Sequence, residues 1–550
     1  MDKSYIELSL NRMSTLKKFL LSLGILILLS VVAIFVLEGW LVKKLPERIN
    51  ANPDRSYDLV FEDVDIKLLS KTIVLKGITL NPLKEDMSTR VTGSMSSLKL
   101  GQVQLLKFVF GKVAEIGEIR LEEPRFKLVR KDSVSQQASE FSKAIQGVFG
   151  DIVSRGLIRN FILVNGSGEF YTQSDSLRKF GSFDGFTITA NNLETDSVLL
   201  NYAIPFQLES IQTEVHNVVI NLDKDLILRV NVVKINSKNE NVILSGASLR
   251  YDDSNLEASR RSDIQKDFIE VDLKELRIDQ INAKSNIYGD WSLIAGKATI
   301  DSLVLTDVRN KNKPRPNEPE KPMFEGMAEK IPFPLILDTI LLTNSKIVYS
   351  QVSEGKREPG VLTFANMSAQ ILNFISVDSL QSEKMLIHAE ATLNRTASLT
   401  MDVQVPYSND EESFTLQASV KPFNFEGLSP MLQNLLNVKL SSGHLHAMEL
   451  QMEASRYSSN NTLRFDYSDL KIEVLGEKSK KKGFMSTVAN VFTSKENLPA
   501  NNNYKNPNYQ TDRIVTRGVF NLIWNSAKEG MTSIVPGDLA QFLLPKNKDN

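Results

Sequence analysis

A mainly β protein carried on a membrane anchor is what this sequence predicts: a long antiparallel sheet behind one N-terminal transmembrane helix, with a few amphipathic helices. Three observations predict it. The run FLLSLGILILLSVVAIFVL, residues 19–37, carries no charge. From Val60 onward the hydrophobic pattern has period two, as in Thr72–Leu80, Leu399–Val405 and Phe414–Val420. Finally, one strand-break-strand unit recurs: the spacing of Ile116, Ile119, Leu121, Phe126 and Leu128 returns at Leu337, Ile340, Leu342, Ile347 and Tyr349. Most of it returns again at Ile158, Phe161, Leu163 and Phe170, at Leu273, Leu276 and Ile278, and at Ile300, Leu303 and Leu305.

The apolar run spans ~28 Å as a helix, close to the hydrocarbon thickness of a bilayer. A cleavable signal peptide has a shorter core and a small-residue cleavage site, whereas here the run leads into EGWLVKK. The anchor is assigned to residues 19–40, with Phe19, Leu20, Leu23, Ile25, Leu28, Val31, Ile34, Leu37 and Trp40 toward lipid. Lys3, Arg12, Lys17 and Lys18 on one side balance Lys43, Lys44, Arg48 and Arg55 on the other, so charge does not orient it.

In the repeated unit the break carries Pro124, Gly166 or Ser345, residues suited to a turn or bulge. Uneven spacing of the copies excludes a fixed-period propeller or leucine-rich solenoid. A pair of β-sandwiches alternates in the same way, but recurrence of one unit from near residue 60 to near residue 470 favours a single extended meander. Roughly 25 strands at ~4.8 Å spacing would extend on the order of 120 Å.

Helical stretches interrupt the strands. Within 135–157, Phe141, Ile145, Val148, Phe149 and Ile152 share one helical face. The stretch 310–334, with Pro314, Pro316, Pro319, Pro322, Pro332 and Pro334, cannot join a ladder and reads as a linker or exposed loop. It separates a meander at 158–309 from a further β module at 335–476. In the basic and amphipathic region 477–550, Lys480, Lys481 and Lys482 precede Phe484, Val488, Val491 and Phe492 at helical spacing, beside Lys478. Phe520, Ile523, Trp524, Ala527 and Met531 share a second helical face. These two faces are the candidate contacts with membrane or a partner; each equally fits a helix folded back on the sheet.

Composition excludes several classes. Lys plus Arg (65) nearly equals Asp plus Glu (66), so no global field gathers nucleic acid. Absence of cysteine removes disulfides, thiolate metal sites and cysteine nucleophiles. The four histidines lie at 216, 388, 444 and 446, and no HExxH, GxSxG, GxGxxG or P-loop pattern occurs. His444 and His446 at i and i+2 would face one side of a strand, but no third ligand follows at metal-site spacing. Gly166-Ser-Gly168 lacks the third glycine and following helix of a phosphate cradle, and Glu122-Glu123 and Asp252-Asp253 sit in polar stretches. The sequence therefore assigns no catalytic residue, metal or cofactor.

Two stretches carry a family resemblance. The first is FEDVDIKLLSKTIVLKGITLNP, followed by the segment Ser97–Arg130 with its Gly111-Lys112 turn and Pro124. The second is FEGLSPMLQNLLNVKLSSGHLHAMELQMEAS, followed by Tyr467, Asp469, Leu470 and Lys471. Together with the anchor they resemble the AsmA-like envelope proteins, including the DUF748 type, with residues 45–134 and 335–476 as the matching modules. That resemblance implies a twisted, groove-like sheet, a cytoplasmic N-terminus (1–18), a single pass through the bacterial inner membrane and a periplasmic bulk. It also implies phospholipid movement toward the outer membrane, with no catalytic residues to carry over. Phospholipid, the inner membrane and an outer-membrane or envelope protein are the expected partners. An apolar sheet face without a second layer can be covered by acyl chains. The alternative is a scaffold that offers a strand edge to folding outer-membrane proteins.

Overall fold

The computed structural model describes residues 15–49, 57–83, 89–103, 116–131, 156–195, 209–285, 291–376, 384–407, 411–436, 438–474 and 490–535. The helix expected within 135–157 and Lys480, Lys481, Lys482, Phe484 and Val488 therefore lie outside the described residues, apart from Gly156 and Leu157, which open a strand. The chain is mainly β and divides into two compact units, residues 1–214 with 287–289, and residues 215–286 with 290–550. The proline-rich segment 310–334 lies inside the second unit.

The first unit opens with α1 (Thr15–Ile49). It contains a stretch, Leu21–Lys44, long and apolar enough to cross a membrane. Its side chains are open from Leu21 onward, reaching 67% exposure at Phe35 and Val36. At Leu37 the environment changes: Leu41 is fully buried, and Leu37 and Val42 pack beside it against the sheet core. There Oε1 of Glu38 accepts the Leu68 N–H at 2.8 Å.

The sheet of this unit comprises β1 (Tyr57–Val60), β2 (Asp63–Lys67), β3 (Thr72–Pro82), β4 (Thr89–Gly101), β5 (Ile116–Glu122), β6 (Arg125–Lys131), β7 (Gly156–Gln173) and β8 (Leu177–Thr195). β1 and β2 share one edge of β3, and β4 takes the other. β5 and β6 are two halves of one broken strand, antiparallel to β4 and parallel to β7. The strand-break-strand unit is thus visible directly, but its neighbour β7 runs parallel to it, so the sheet is mixed.

At the division between units runs β9 (Ser210–Asn221), which pairs with β10 (Leu226–Asn236). The second unit continues with β11 (Asn241–Tyr251), α2 (Asn255–Arg261), β12 (Asp267–Asp279), β13 (Asn282–Ser285), β14 (Trp291–Asn310) and α3 (Phe324–Glu329). Then come β15 (Leu335–Val352), β16 (Gly360–Ile375), β17 (Met385–Leu393), β18 (Ala397–Val405), β19 (Phe414–Val420) and β20 (Phe423–Asn424). A 3₁₀ turn (Phe425–Leu428) leads into α4 (Ser429–Leu436), β21 (Val438–Ala454), β22 (Ser458–Val474), β23 (Asn490–Asn497), β24 (Asn508–Asp512) and α5 (Val519–Ile534). Neighbours pair antiparallel except β14 and β15, which lie parallel. The proline-rich segment is their crossover: the missing N–H groups keep it out of the ladder, and α3 forms inside it. Val491 and Phe492, expected on a helix, lie in β23, where Phe492 stands opposite Ile472.

The recurring break has one physical cause. Backbone in the left-handed region occurs at Glu123, in the break between β5 and β6, and inside strands at Asn165 and Asn344, each the residue just before the expected Pro124, Gly166 and Ser345. Ladder register shifts bracket Gly166 and Ser345. Such a bulge resets the pleat, so apolar residues an odd number apart come to one side. The cores show it: Leu75 and Ile78 share a cluster across Gly77 (φ 58°), and Tyr467 and Leu470 share one across Asp469 (φ 54°). Leu440 and Leu445 do the same across Gly443 (φ 131°). Asparagine and aspartate tolerate this backbone better than branched residues, and they hold many of these positions.

Candidate functional site: an open apolar strip

Residues opposed in a ladder point to the same face, so register converts the second unit into rows. One row starts at Ile235 and runs through Val242, Ile278, Ala298, Ile340 and Ile371. It continues through Ile387 and Val403 to Leu416 and Met452. Every member is aliphatic or methionine. The adjacent row, Val233, Leu244, Leu276, Ile300, Leu342 and Ala369, is equally apolar and extends through Ala389 and Met401 to Ala418 and Leu450. Nine interstrand gaps make the strip about 43 Å long. The opposite face at the same level carries Lys234, Arg277, Thr299, Gln370, His388 and Asp402, interrupted by Ile243 and Leu341.

Among the described residues the strip is covered at one end only. On β18, β19 and β21, Val403, Leu416 and Met452 are buried in a core that includes Val519, Leu522 and Ala527 of α5 and Met323 beside α3. On β10 to β16 the same rows are half-buried, except that Ala298 is buried, and Ile235 is 39% exposed. α2 packs against Phe268 and Val308, which stand opposite each other and out of phase with the neighbouring Val271 and Leu305. It therefore covers the other face. At the level of Gly246, Ser302, Asn344 and Asn366, all left-handed, the apolar phase shifts by one residue and a further row follows: Leu228, Leu249, Val271, Leu305, Ile347 and Phe364.

Beyond this row the same phase turns polar on β14, although Ile269 and Leu362 keep it apolar on the flanking strands. Asp307 stands opposite Tyr349, and Asp267 opposite Arg309. Arg309 grips Asp267 through Nε and Nη2 at 2.6 and 2.5 Å. Burial, reinforced by the charge of Asp267, pushes the Asp307 carboxyl up to about 6, and its buried Oδ1 has no hydrogen-bond partner. The rim has only a faint mark in the sequence: Asp307 and Arg309 continue the alternation of Leu303 and Leu305 with charge in place of aliphatic carbon.

The expected contact residues separate. Of the anchor set, Ile25, Leu28 and Val31 are exposed, whereas Leu37 turns onto the sheet. α5 forms where expected, but its apolar residues split: Ile523 and Met531 pack on the core, while Phe520 (61%) and Trp524 (52%) remain exposed. His444 and His446 are adjacent rings, bonded to Asn424 at 2.8 Å and Ser468 at 3.0 Å respectively, and no metal-ligand group forms among the described residues. Glu122 is engaged by Arg120 and Ser97, and Asp253 by Arg261. No family model matches this chain, and no curated protein matches it either.

Proposed function

We propose that this protein carries lipid acyl chains along the apolar strip of its second unit, in phospholipid transport or lipid homeostasis of a bacterial envelope. The observation that supports the reading is the strip itself: uninterrupted aliphatic rows crossing ten strands, half-open over most of their length and backed by a polar face. Each methylene buried there gains ~0.8 kcal/mol without directional contacts, so a chain can shift along the strip with little change in energy. The candidate membrane-spanning helix is consistent with an anchor in the inner membrane. The AsmA-like resemblance, the periplasmic placement and a partner at the far membrane belong to the same proposal, which assigns no catalytic step.

Site-specific photocrosslinking in cells tests it. A benzophenone side chain at Ile340 or Ile371 is expected to capture phospholipid, and one at Gln370, on the opposite face, is not. Equal labelling from both faces, or none from either, overturns the lipid reading; captured outer-membrane protein in place of lipid establishes the scaffold.

A further inference from the structure

The rim at the end of the strip gathers cations that its carboxylates do not neutralise. Lys311 follows β14 directly and donates its N–H to the Val352 carbonyl at 2.9 Å, so it continues the pairing that carries Arg309. The crossover then returns toward the segment before α5: Arg315 donates to Thr516 Oγ1 at 2.9 Å, and the Lys321 N–H donates to Val515 O at 2.9 Å. Arg517 and, from α5, Lys528 thus come near enough to Lys311 for their charges to act on it. The nearby acids are fewer than the cations: the charge of Asp307 acts on Arg309 and Lys321, and the other three are engaged. Asp267 is held by Arg309, Glu318 is shared between Arg517 and Lys321 at 3.8 Å each, and Glu529 accepts from Thr511 at 2.8 Å. Lys311 and Lys528 form no ion pair among the described residues, although the charge of Glu529 acts on Lys528. Partial desolvation of the ammonium, on a side chain that is otherwise exposed, together with the charges of Arg517, Arg309, Lys528 and Arg315, holds Lys311 below its usual range. α5 begins at Gly518 with no capping side chain and no acid in its first turn, leaving its N-terminal amides unneutralised beside Arg517.

We propose that Lys311, Arg315, Arg517 and Lys528 form a phosphate site, and that it receives the phosphate of a lipid whose acyl chains lie on the strip. Only the second half rests on the lipid reading. A phosphate supplies the missing negative charge and enough acceptor oxygens for several donors at once. Arg309 stands four residues along the same face from Leu305, about 13 Å, so headgroup and chain positions fit one amphiphile. The phosphate source is either such a headgroup or the free ion.

The full chain, purified in neutral detergent with the benzophenone at Ile340, is offered equal amounts of a phospholipid and a diacylglycerol with identical chains. Wild type is expected to capture the phospholipid with roughly tenfold preference, about the worth of one charge-assisted pair. In K311E/K528E that preference falls to near one while diacylglycerol capture persists. K311Q/K528Q, expected to lose part of the preference, serves if the reversal perturbs folding. No preference in wild type, or an unchanged one in both variants, overturns the headgroup assignment and leaves acyl carriage standing. In parallel, inorganic phosphate replaces chloride at constant ionic strength and the melting temperature is read. A rise in wild type that the variants lose, with no lipid captured by any protein, supports the anion site for free phosphate and overturns acyl carriage. No rise and no preference overturns the site altogether.

Discussion

Asp307→Asn is expected to stabilise the protein at neutral and alkaline pH and to do nothing in acid. The Asp307 carboxyl lies on the apolar phase of β14 with one oxygen unpartnered, and burial raises its folded-state value from 3.8 to about 6. An acid whose folded value is raised is penalised when ionised, so the folded chain binds its proton more tightly than the unfolded one. Stability then falls as pH rises from about 4 to about 6, and the penalty is complete above that window. About two units at 1.36 kcal/mol each give about 3 kcal/mol, which partial solvent access reduces to about 2. Asparagine keeps the oxygen that accepts from the Phe268 backbone and removes the charge. For a cooperative unit of some 330 residues the melting temperature should rise by about 3 °C at pH 8. The assay is calorimetry of wild type and variant at pH 3.5, 5, 6.5 and 8. A difference that is the same at all four values, or a less stable variant at pH 8, refutes the assignment of Asp307 as a buried, penalised carboxylate.

Three other outcomes follow from the geometry. Leu41→Ala should cost about 2–5 kcal/mol of the docking between α1 and the first sheet, read as faster amide exchange at Leu68, whose N–H is held by Glu38; unchanged exchange would mean that the helix end is not fixed there. Asn344→Val should be less stable than Asn344→Gly by about 1–2 kcal/mol in denaturant titration, because both lose the Asn344 Nδ2 bond to Asp301 at 2.9 Å and only the first resists left-handed backbone, and equal losses would argue against the bulge as the working feature. Ile371→Lys should reduce lipid capture strongly while Gln370→Lys, one residue away on the polar face, leaves it intact; equal effects would remove the distinction between the faces.

Much of this fold is legible in the sequence because its information is local. Period-two alternation marks the strands, and the repeated breaks mark bulges to within one residue, Glu123 for Pro124 and Asn344 for Ser345. The helix at Val519–Ile534 is visible from Phe520, Ile523 and Trp524, although which of them face solvent is not, since a wide apolar stripe exceeds the surface available to cover it. Pairing partners are nonlocal, so the parallel joins of β5 and β6 with β7, and of β14 with β15, leave no mark in the pattern. Val491 and Phe492 fit helical spacing only by reaching back to Phe484 and Val488, and two neighbouring apolar residues fit either period. The cationic rim escapes a linear reading because Lys311 and Arg517 are two hundred residues apart.

The left-handed residues also set how errors travel. In an uninterrupted strand, deleting one residue turns everything beyond it inside out. Here the strands that carry a left-handed residue are split into shorter runs, and the bulge is a place where the count can be reset. A deletion between Leu303 and Asn310 would misplace that half of β14 while Ile300 and Ala298 keep their station on the strip. Strands can therefore lengthen, shorten or vary by half-strand modules without reversing the oily side of their neighbours, and a sheet of this kind can change its reach without redesigning its lining.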